Sequence, residues 1–208
     1  MLDPFYPVVP DAGWVAKLVR VGTKLIQLRI KEQPDAEVRR QVREARTVCA
    51  AHGAQLIVND YWQVAIDEDC AWVHLGQEDL VDADVKALRR AGIRIGVSTH
   101  DHAELDKGLA IDPDYVALGP IYPTLLKQMP WAPQGPARLG EWKKLIGDRP
   151  LVELVPLLLQ AVLEMIGAVG VMKLEAIGVR SELDKVVPPR INSTSASAIS
   201  FGIEICGP

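Results

Sequence analysis

This chain has few cysteines and little excess charge of either sign. Its three cysteines, Cys49, Cys70 and Cys206, are odd in number and widely spaced, with no CxxC pair. They therefore indicate neither a disulfide framework nor a zinc site, and they suit the reducing cytoplasm in which we expect the protein. A net charge of −4 and a pI near 5.6 argue against a general binder of nucleic acid or of anionic membranes. An anionic substrate would have to be bound by a local basic cluster.

The chain also has little that resembles a targeting or membrane segment. Residues 1–10 lack the basic region and long apolar stretch of a secretory signal, so we expect none. Only residues 154–174 approach the length of a membrane span, and Pro156, Gln160 and Glu164 interrupt them. We therefore expect a buried helix or strand there and no membrane partner.

Short apolar runs that end in polar residues recur along the first 120 residues, and we interpret them as buried strands. These runs are 7–10, 25–31, 56–60, 72–79, 95–100 and 115–120. The segments with helical spacing are 12–21, 35–52, 83–91 and 101–110, and then 138–147 after a proline-rich break at 121–137. Strand, helix and strand at this spacing indicate crossover units and a parallel sheet. We expect an α/β fold, one α/β barrel or one open α/β sheet, with a seventh strand near 150–152.

The segment 35–52 predicts the best-defined helix. Asp35 is the expected N-cap, an apolar stripe at helical spacing follows it, and Gly53 stands where a helix ends. The regularity of such segments is what favours a barrel in which the strand carboxyl ends form one functional face.

Gln27, Arg29 and Lys31 stand two apart on one predicted strand, so their side chains are expected to face the same way. An arginine and a lysine at a barrel mouth require an anionic partner. A phosphate or diphosphate suits them, because arginine offers a planar fork of donors and lysine a point charge. The alternative is a charged strand end that extends into solvent.

Two carboxylates, Asp60 and Asp79, are expected at neighbouring strand ends. Such hard oxygen ligands hold Mg²⁺ beside substrate phosphates, although Asn59-Asp60 at a strand end could equally form a turn or a helix cap. For His74 we expect a packed, hydrogen-bonded histidine with no metal role. Two interpretations are open for the end of the next strand: Ser98 and His100 could hydrogen-bond a substrate, or Ser98 and Thr99 could cap the next helix.

Several motifs together resemble the thiamine phosphate synthase family in order and spacing. They are QLRIK (27–31), NDYW (59–62), HLGQEDL (74–80), GVSTHD (96–101), and ALGPIYPT followed by KQMPWAPQG (117–135). The resemblance runs from about residue 6 to residue 152. It implies a small TIM (β/α)8 barrel, with its last two β/α units uncertain in this chain. It also implies an enzyme that joins hydroxymethylpyrimidine diphosphate to thiazole phosphate and releases diphosphate.

The resemblance also implies roles for individual residues. The pyrimidine diphosphate would be bound by Gln27, Leu28, Arg29, Ile30, Lys31, Asn59, Ser98 and Lys127. The thiazole phosphate would be bound by the loop residues Thr124, Leu125, Leu126 and Lys127. Asp60 and Asp79 would hold Mg²⁺, while Arg29, Lys31 and Lys127 would neutralise the departing diphosphate. No protein nucleophile is required.

The chain departs from this family in two places. The usual Thr-x-Thr-Lys loop reads Thr124-Leu125-Leu126-Lys127, without the second hydroxyl. After Val152 the Gly-Gly turn that follows the seventh strand is missing, which leaves two interpretations open: an altered reading frame or junction, or a divergent C-terminal third. We expect one barrel domain over 1–187, atypical from 153, and a tail at 188–208 whose lack of periodicity is compatible with disorder.

The leading interpretation is therefore a Mg²⁺-dependent thiamine phosphate synthase that acts on small-molecule substrates. One alternative is an inactive or binding-only relative that holds pyrimidine diphosphate without coupling it. A related thiazole tautomerase is a second, although the carboxylate pair and the QLRIK strand argue against it. Another phosphate-binding barrel enzyme is a third, since fold alone does not determine function. The sequence does not indicate an oligomeric state.

Overall fold

The computed structural model describes residues 2–121, 132–156 and 199–204. The strands are β1 (Phe5–Val9), β2 (Leu25–Leu28), β3 (Gln55–Asn59), β4 (Trp72–Leu75), β5 (Arg94–Thr99), β6 (Tyr115–Leu118), β7 (Leu151–Pro156) and β8 (Ile199–Glu204). The helices are α1 (Ala12–Arg20), α2 (Asp35–His52), α3 (Trp62–Asp67), α4 (Gln77–Asp82), α5 (Val85–Arg90), α6 (His102–Leu109) and α7 (Pro136–Ile146).

The strands form one curled sheet in which every neighbouring pair is parallel and follows chain order. Strand β8 pairs with both β7 and β1, which closes the ring of described strands. The predicted α/β fold with a parallel sheet is confirmed. Eight complete β/α units would also require residues 157–198, which lie outside the described residues.

Alternate residues of each strand point to opposite faces of the sheet, so the two faces have separate cores. On β2, Ile26 and Leu28 belong to a large apolar cluster beneath the helices, whereas Leu25 belongs to a smaller cluster inside the ring. The interior cluster consists of Leu2, Tyr6, Leu25, Ile57, Trp72, Tyr115, Ala117 and Val152. The carboxyl ends of the strands therefore stand on a packed interior.

Helix α2 has the predicted bounds, and Gly53 follows it in the left-handed conformation with φ 62°. The expected capping by Asp35 is wrong, because Pro34 occupies the N-cap position and the helix begins at Asp35. The Asp35 carboxylate instead accepts a hydrogen bond of 2.8 Å from Arg39 Nε.

Three predicted strands are too long, because the residues at their ends leave the sheet; the strand predicted over 115–120 stops at Leu118. Strand β2 stops at Leu28, although Arg29 N still donates to the Val9 carbonyl at 2.8 Å. The predicted strand 72–79 divides into β4 and α4, with Gly76 at the N-cap of the helix. At six residues, α3 and α4 are too short for a helical periodicity to reveal them.

Residues 199–204, within the predicted tail, form a strand rather than an irregular segment. Pairing on both sides satisfies backbone groups that would otherwise be exposed at the edges of β1 and β7. Most of the apolar segment 154–174 lies outside the described residues. Among the helices that the structure does describe, none is both long and apolar enough to cross a membrane.

Candidate active site

Polar side chains from four neighbouring strands meet at the carboxyl end of the sheet. Gln27 and Asn59 are each 4% exposed, and Asn59 pairs in register with His74 of β4. Arg29 is half-buried and Lys31 exposed, in the order expected for a row that leads out of the interior. These predicted site residues are therefore brought together.

Leu28 and Ile30, which the resemblance also assigns to the substrate, lie differently. Their side chains are 1% and 2% exposed and belong to the apolar cluster beneath the helices. Contact between these two residues and a substrate at the mouth would have to come from their backbone.

Lys31 and Asp60 form an ion pair at the mouth, with 2.6 Å between Lys31 Nζ and Asp60 Oδ2. Asp60 has a positive φ of 65° and donates its backbone N–H to the His74 carbonyl at 2.9 Å. Because non-glycine residues rarely adopt this conformation, the structure holds the Asp60 carboxylate in a specific position.

Asp79 lies in the first turn of α4, near enough to Asp60 for the two carboxyl groups to interact. Partial burial and the neighbouring charge of Asp60 raise the pKa of Asp79, against the opposing effect of Lys31. A Cβ added at Gly76 would come within 3.0 Å of Asp79 Oδ2. Glycine at this position therefore leaves space around the carboxylate pair.

This pair fits a magnesium ion on the chemistry of its donors. Two carboxylates that repel each other are stabilised by a shared cation, and Mg²⁺ usually takes its other ligands from phosphates and water. Within the described ranges, no group of three or more His, Cys, Asp or Glu side chains could hold a metal. An ion at Asp60 and Asp79 would therefore depend on oxygen atoms from a substrate or solvent.

Asn59 has a buried amide nitrogen, Nδ2, that lacks a hydrogen-bond partner among the described residues. Leaving such a donor unsatisfied costs about 1–3 kcal/mol. Buried polar groups without partners are uncommon, so this one is a candidate contact for a substrate oxygen atom.

A chain of hydrogen bonds runs below the mouth through the interior of the ring. Gln27 Nε2 donates to Tyr6 Oη (2.8 Å), and Tyr6 Oη lies 2.7 Å from Tyr115 Oη. Tyr115 Oη lies 2.7 Å from His74 Nδ1, and His74 Nε2 lies 2.8 Å from Ser98 Oγ. The expectation of a packed, hydrogen-bonded His74 is confirmed. Burial lowers the pKa of His74 to about 4, so the ring is neutral at pH 7.

Sequence reasoning did not single out Tyr6 and Tyr115. The sequence did offer one signal for them: each tyrosine lies in or beside an apolar run that forms a buried strand. Because a buried phenol requires a hydrogen-bond partner, such a tyrosine is expected to contact another polar group. Gly96 accommodates Tyr115, since a Cβ added there would lie 1.9 Å from Tyr115 Cζ.

Neither Ser98 nor Thr99 caps α6, so the capping role considered for them is wrong. Asp101 caps α6, with its side chain accepting from Glu104 N. Thr99 is buried, donates to the Ala117 carbonyl and accepts from Trp142 Nε1. Ser98 is therefore held by His74 at the mouth. The predicted loop residues Thr124, Leu125, Leu126 and Lys127 lie outside the described residues.

Comparison with known proteins identifies the family. A family model described as thiamine monophosphate synthase matches residues 6–172. The chain belongs to the thiamine monophosphate synthase family. The resemblance predicted from the motifs is confirmed, and the family match extends beyond residue 152, where the recognisable motifs end.

Individual family members are similar over most of their length. A thiamine-phosphate synthase from Rhizobium etli is 57% identical over 151 residues, which are 73% of this chain and 74% of that protein. One from Cronobacter sakazakii is 47% identical over 171 residues, 80% of this chain and 81% of that protein. A solved thiamine phosphate pyrophosphorylase from Pyrococcus furiosus superposes with a TM-score of 0.63 at 23% identity, over 81% of this chain and 82% of that one. This last likeness supports the fold alone.

Proposed function

We propose that this member of the thiamine monophosphate synthase family couples hydroxymethylpyrimidine diphosphate with thiazole phosphate, giving thiamine phosphate and diphosphate. The observation that carries the proposal is the grouping of Lys31, Asp60, Asp79 and the buried Asn59 amide at one mouth. The proposal includes a complete (β/α)8 barrel around that mouth and a cytoplasmic location. The buried free thiols of Cys49 and Cys70 suit such a location.

The diphosphate would be bound by charge and by hydrogen bonds from several strand ends. Arg29 and Lys31 supply positive charge, and Lys127 from the proline-rich loop would supply more. Asn59 Nδ2 would donate to a substrate oxygen atom, which would satisfy its buried donor. Gln27, whose amide is held by Tyr6, forms the inner wall of the mouth.

Asp60 and Asp79 are the residues that would hold Mg²⁺, which supplies neutralising charge for diphosphate oxygen atoms when it is bound. The Lys31 ammonium group forms an ion pair with Asp60 Oδ2, one of the oxygen atoms that would bind the metal. Lys31 would therefore lie next to the diphosphate oxygen atoms. The chain's own contribution is to position carboxylates and ammonium within one mouth before the substrate arrives.

In the coupling reaction, the bond between the pyrimidine methylene carbon and the diphosphate oxygen breaks, and its electron pair leaves with diphosphate. The thiazole nitrogen then donates its lone pair to the methylene carbon and forms the new C–N bond. Arg29, Lys31 and Lys127 stabilise the negative charge on the leaving group, and residues 124–127 would orient the thiazole phosphate. No side chain needs to act as a nucleophile.

A second candidate is a binding-only relative that retains pyrimidine diphosphate. It is favoured by Leu126, which replaces the second hydroxyl of the family's loop, and by the missing Gly-Gly turn after Val152. Both departures fall on the thiazole-phosphate half of the site. The retained Asp60–Asp79 pair argues against a thiazole tautomerase.

One experiment separates these candidates. The full chain is incubated with both substrates and Mg²⁺, thiamine phosphate is measured, and binding of pyrimidine diphosphate is followed in parallel by calorimetry. We expect product; binding without product would identify the binding-only relative. Absence of binding in the presence of Mg²⁺ would refute both.

A further inference from the structure

Tyr6, Tyr115 and His74 form a continuous hydrogen-bonded chain between two residues of the mouth, Gln27 and Ser98. The two tyrosines are 1% and 0% exposed, and His74 and Gln27 are 4% exposed. The links measure 2.7–2.8 Å from end to end. Inside a barrel, each hydrogen of such a chain must point at an acceptor, because a buried donor without an acceptor lowers the stability of the fold.

The placement of the hydrogens follows from the Gln27 end. Gln27 Nε2 is a donor only, so Tyr6 Oη accepts from it and must donate its own hydrogen elsewhere. Among the described residues the acceptor within reach is Tyr115 Oη. Tyr115, in turn, has His74 Nδ1 as its acceptor. His74 Nδ1 therefore accepts, and the ring hydrogen is on Nε2.

The other two protonation states of His74 each leave a buried hydroxyl hydrogen without an acceptor. A ring protonated at Nδ1, alone or at both nitrogens, would donate to Tyr115. Tyr115 would then have to donate to Tyr6, whose hydroxyl already accepts from Gln27 and would keep a buried hydrogen with no acceptor in the described part of the chain. With the Gln27 amide nitrogen toward Tyr6, the arrangement that leaves no such hydrogen among the described residues has His74 Nε2–H donating to Ser98 Oγ at 2.8 Å.

We propose that Tyr6, Tyr115 and His74 are positioning residues that orient Ser98, so that its Oγ accepts from His74 and donates its own hydrogen to the diphosphate of the bound substrate. This rests on the proposed function, since the diphosphate is the substrate of that reaction. Its consequence is that the Ser98 hydroxyl hydrogen has no acceptor among the described residues, because His74 is a donor to this oxygen. A hydroxyl committed to donation suits an anion and disfavours a cationic or donor-only group at the same place.

Packing holds the chain in this geometry. The Tyr115 ring stacks on His74 with centroids 5.5 Å apart and 20° between planes, and it meets Tyr6 edge to face at 6.1 Å. Gly96 leaves the space that the Tyr115 ring occupies. At the other end, Gln77 Nε2 donates to the Ser98 carbonyl at 2.7 Å. Both the side chain and the backbone of Ser98 are therefore held from the protein side.

The first test reads the position of the hydrogen directly. The chain has four histidines, and nitrogen-15 NMR of the histidine-labelled protein distinguishes their tautomers. The His74 signals are assigned by their loss in His74→Gln. We expect the Nε2–H tautomer in the absence of substrates; the Nδ1–H tautomer or a doubly protonated ring would overturn the proposal. This readout does not require activity, so it is independent of whether the proposed function is correct.

The second test compares two variants that each remove one buried phenol hydroxyl. Tyr115→Phe keeps the ring stack but removes the acceptor and donor beside His74, so Ser98 can turn its hydrogen inward. We expect a rise of about 10–100-fold in the Kd for pyrimidine diphosphate with Mg²⁺. Tyr6→Phe, the matched control, leaves Tyr115 able to donate to His74 and should retain the Nε2–H tautomer with a smaller rise.

A double variant separates positioning from general structural damage. If Tyr115 acts through Ser98, Ser98→Ala and Tyr115→Phe should weaken binding by similar factors, and the combination should be no weaker than Ser98→Ala alone. Multiplying effects would overturn the proposal, as would equal losses from Tyr6→Phe and Tyr115→Phe. Circular dichroism and the urea midpoint of each variant verify folding. Failure of the wild type to form product would instead refute the proposed function.

Discussion

The two faces of the sheet are built on different principles. Beneath the helices, the buried side chains are mainly aliphatic and interlock without specific hydrogen bonds. Inside the ring, Tyr6, Gln27, His74 and Tyr115 are equally buried but hydrogen-bonded in a chain. Apolar burial provides most of the free energy of folding, whereas buried polar groups must be partnered merely to avoid a loss. The outer face therefore stabilises the protein and the inner face organises its mouth.

Two residues qualify this division. Trp142 of α7 packs on the outer face, yet its Nε1 donates to Thr99 Oγ1 at 2.8 Å. Glu153 lies on the same side, since Leu151 belongs to the outer cluster, Val152 to the interior cluster, and successive side chains alternate. Glu153 is thus a carboxyl group on the face that otherwise buries aliphatic groups.

The largest expected effect comes from the outer face. Trp142→Ala should lower the free energy of unfolding by about 3–5 kcal/mol, because it removes a fully buried ring and leaves a cavity. Leu145→Ala on the same helix is the control; its side chain is 50% exposed, and we expect a change within about 0.5 kcal/mol. Urea unfolding measures both, and equal losses would contradict the proposed division of roles.

At the mouth, Asp79→Ala should abolish Mg²⁺-dependent binding of pyrimidine diphosphate while changing stability little. Removing a residue that only contacts a metal ligand typically lowers affinity about 10–100-fold. Since Asp79 would itself be a ligand, we expect a larger loss of affinity. Asp82→Ala, an exposed carboxylate of the same helix, is the matched control. Calorimetric titration with and without Mg²⁺ is the measurement, and unchanged affinity in Asp79→Ala would remove it from the site.

Glu153 should make stability depend on pH. Burial raises the pKa of Glu153 to about 7, above its ordinary value of 4.5. The folded state therefore binds more protons than the unfolded state between those values, so the free energy of unfolding falls as pH rises from about 4.5 to 7 and levels off above. The total fall is on the order of 3 kcal/mol.

Glu153→Gln provides the control for that prediction. The variant keeps the shape of the side chain but cannot ionise, so the slope of stability against pH over this range should decrease by the contribution of Glu153. Urea midpoints at a series of pH values compare the two proteins. Parallel curves would show that Glu153 is not the responsible group.

The smallest expected effect on stability comes from the inner face. Asn59→Ala removes an amide donor that has no partner in the described residues, so we expect a change in unfolding free energy within about 1 kcal/mol. Binding of pyrimidine diphosphate should nevertheless weaken about tenfold, the cost of one hydrogen bond to a charged group. If stability fell sharply and binding did not change, Asn59 would be a structural residue.

Much of the fold could be predicted because its pattern is local. The apolar stripe of α2 and the glycine that ends it have a 3.6-residue period, and the bounds Asp35–His52 followed from it. The ends of β2 and β4 could not be predicted, since the polar residues there leave the sheet for contacts with other strands. Strand β8 was missed for a related reason: it is defined by pairing with β7 and β1 rather than by its own periodicity.

The candidate site divides in the same manner. Residues such as Asp60 and Asp79 could be found because carboxylates after apolar runs are visible in the sequence, and the motifs match a family. Tyr6 and Tyr115 could not, because 109 positions separate two hydroxyls that lie 2.7 Å apart. A buried tyrosine in a strand does not reveal which partner it meets.

The sequence by itself determined the parallel α/β fold, the family and the residue types at the mouth, because strand ends, helix periods and motifs are all written in consecutive residues. Tertiary structure alone decided that Lys31 pairs with Asp60, that Asp79 approaches the same carboxylate, and that Tyr115 links Tyr6 to His74. Those contacts arise because a curled parallel sheet brings the carboxyl ends of its strands together. Their energies depend on distance and burial, which no stretch of consecutive residues specifies.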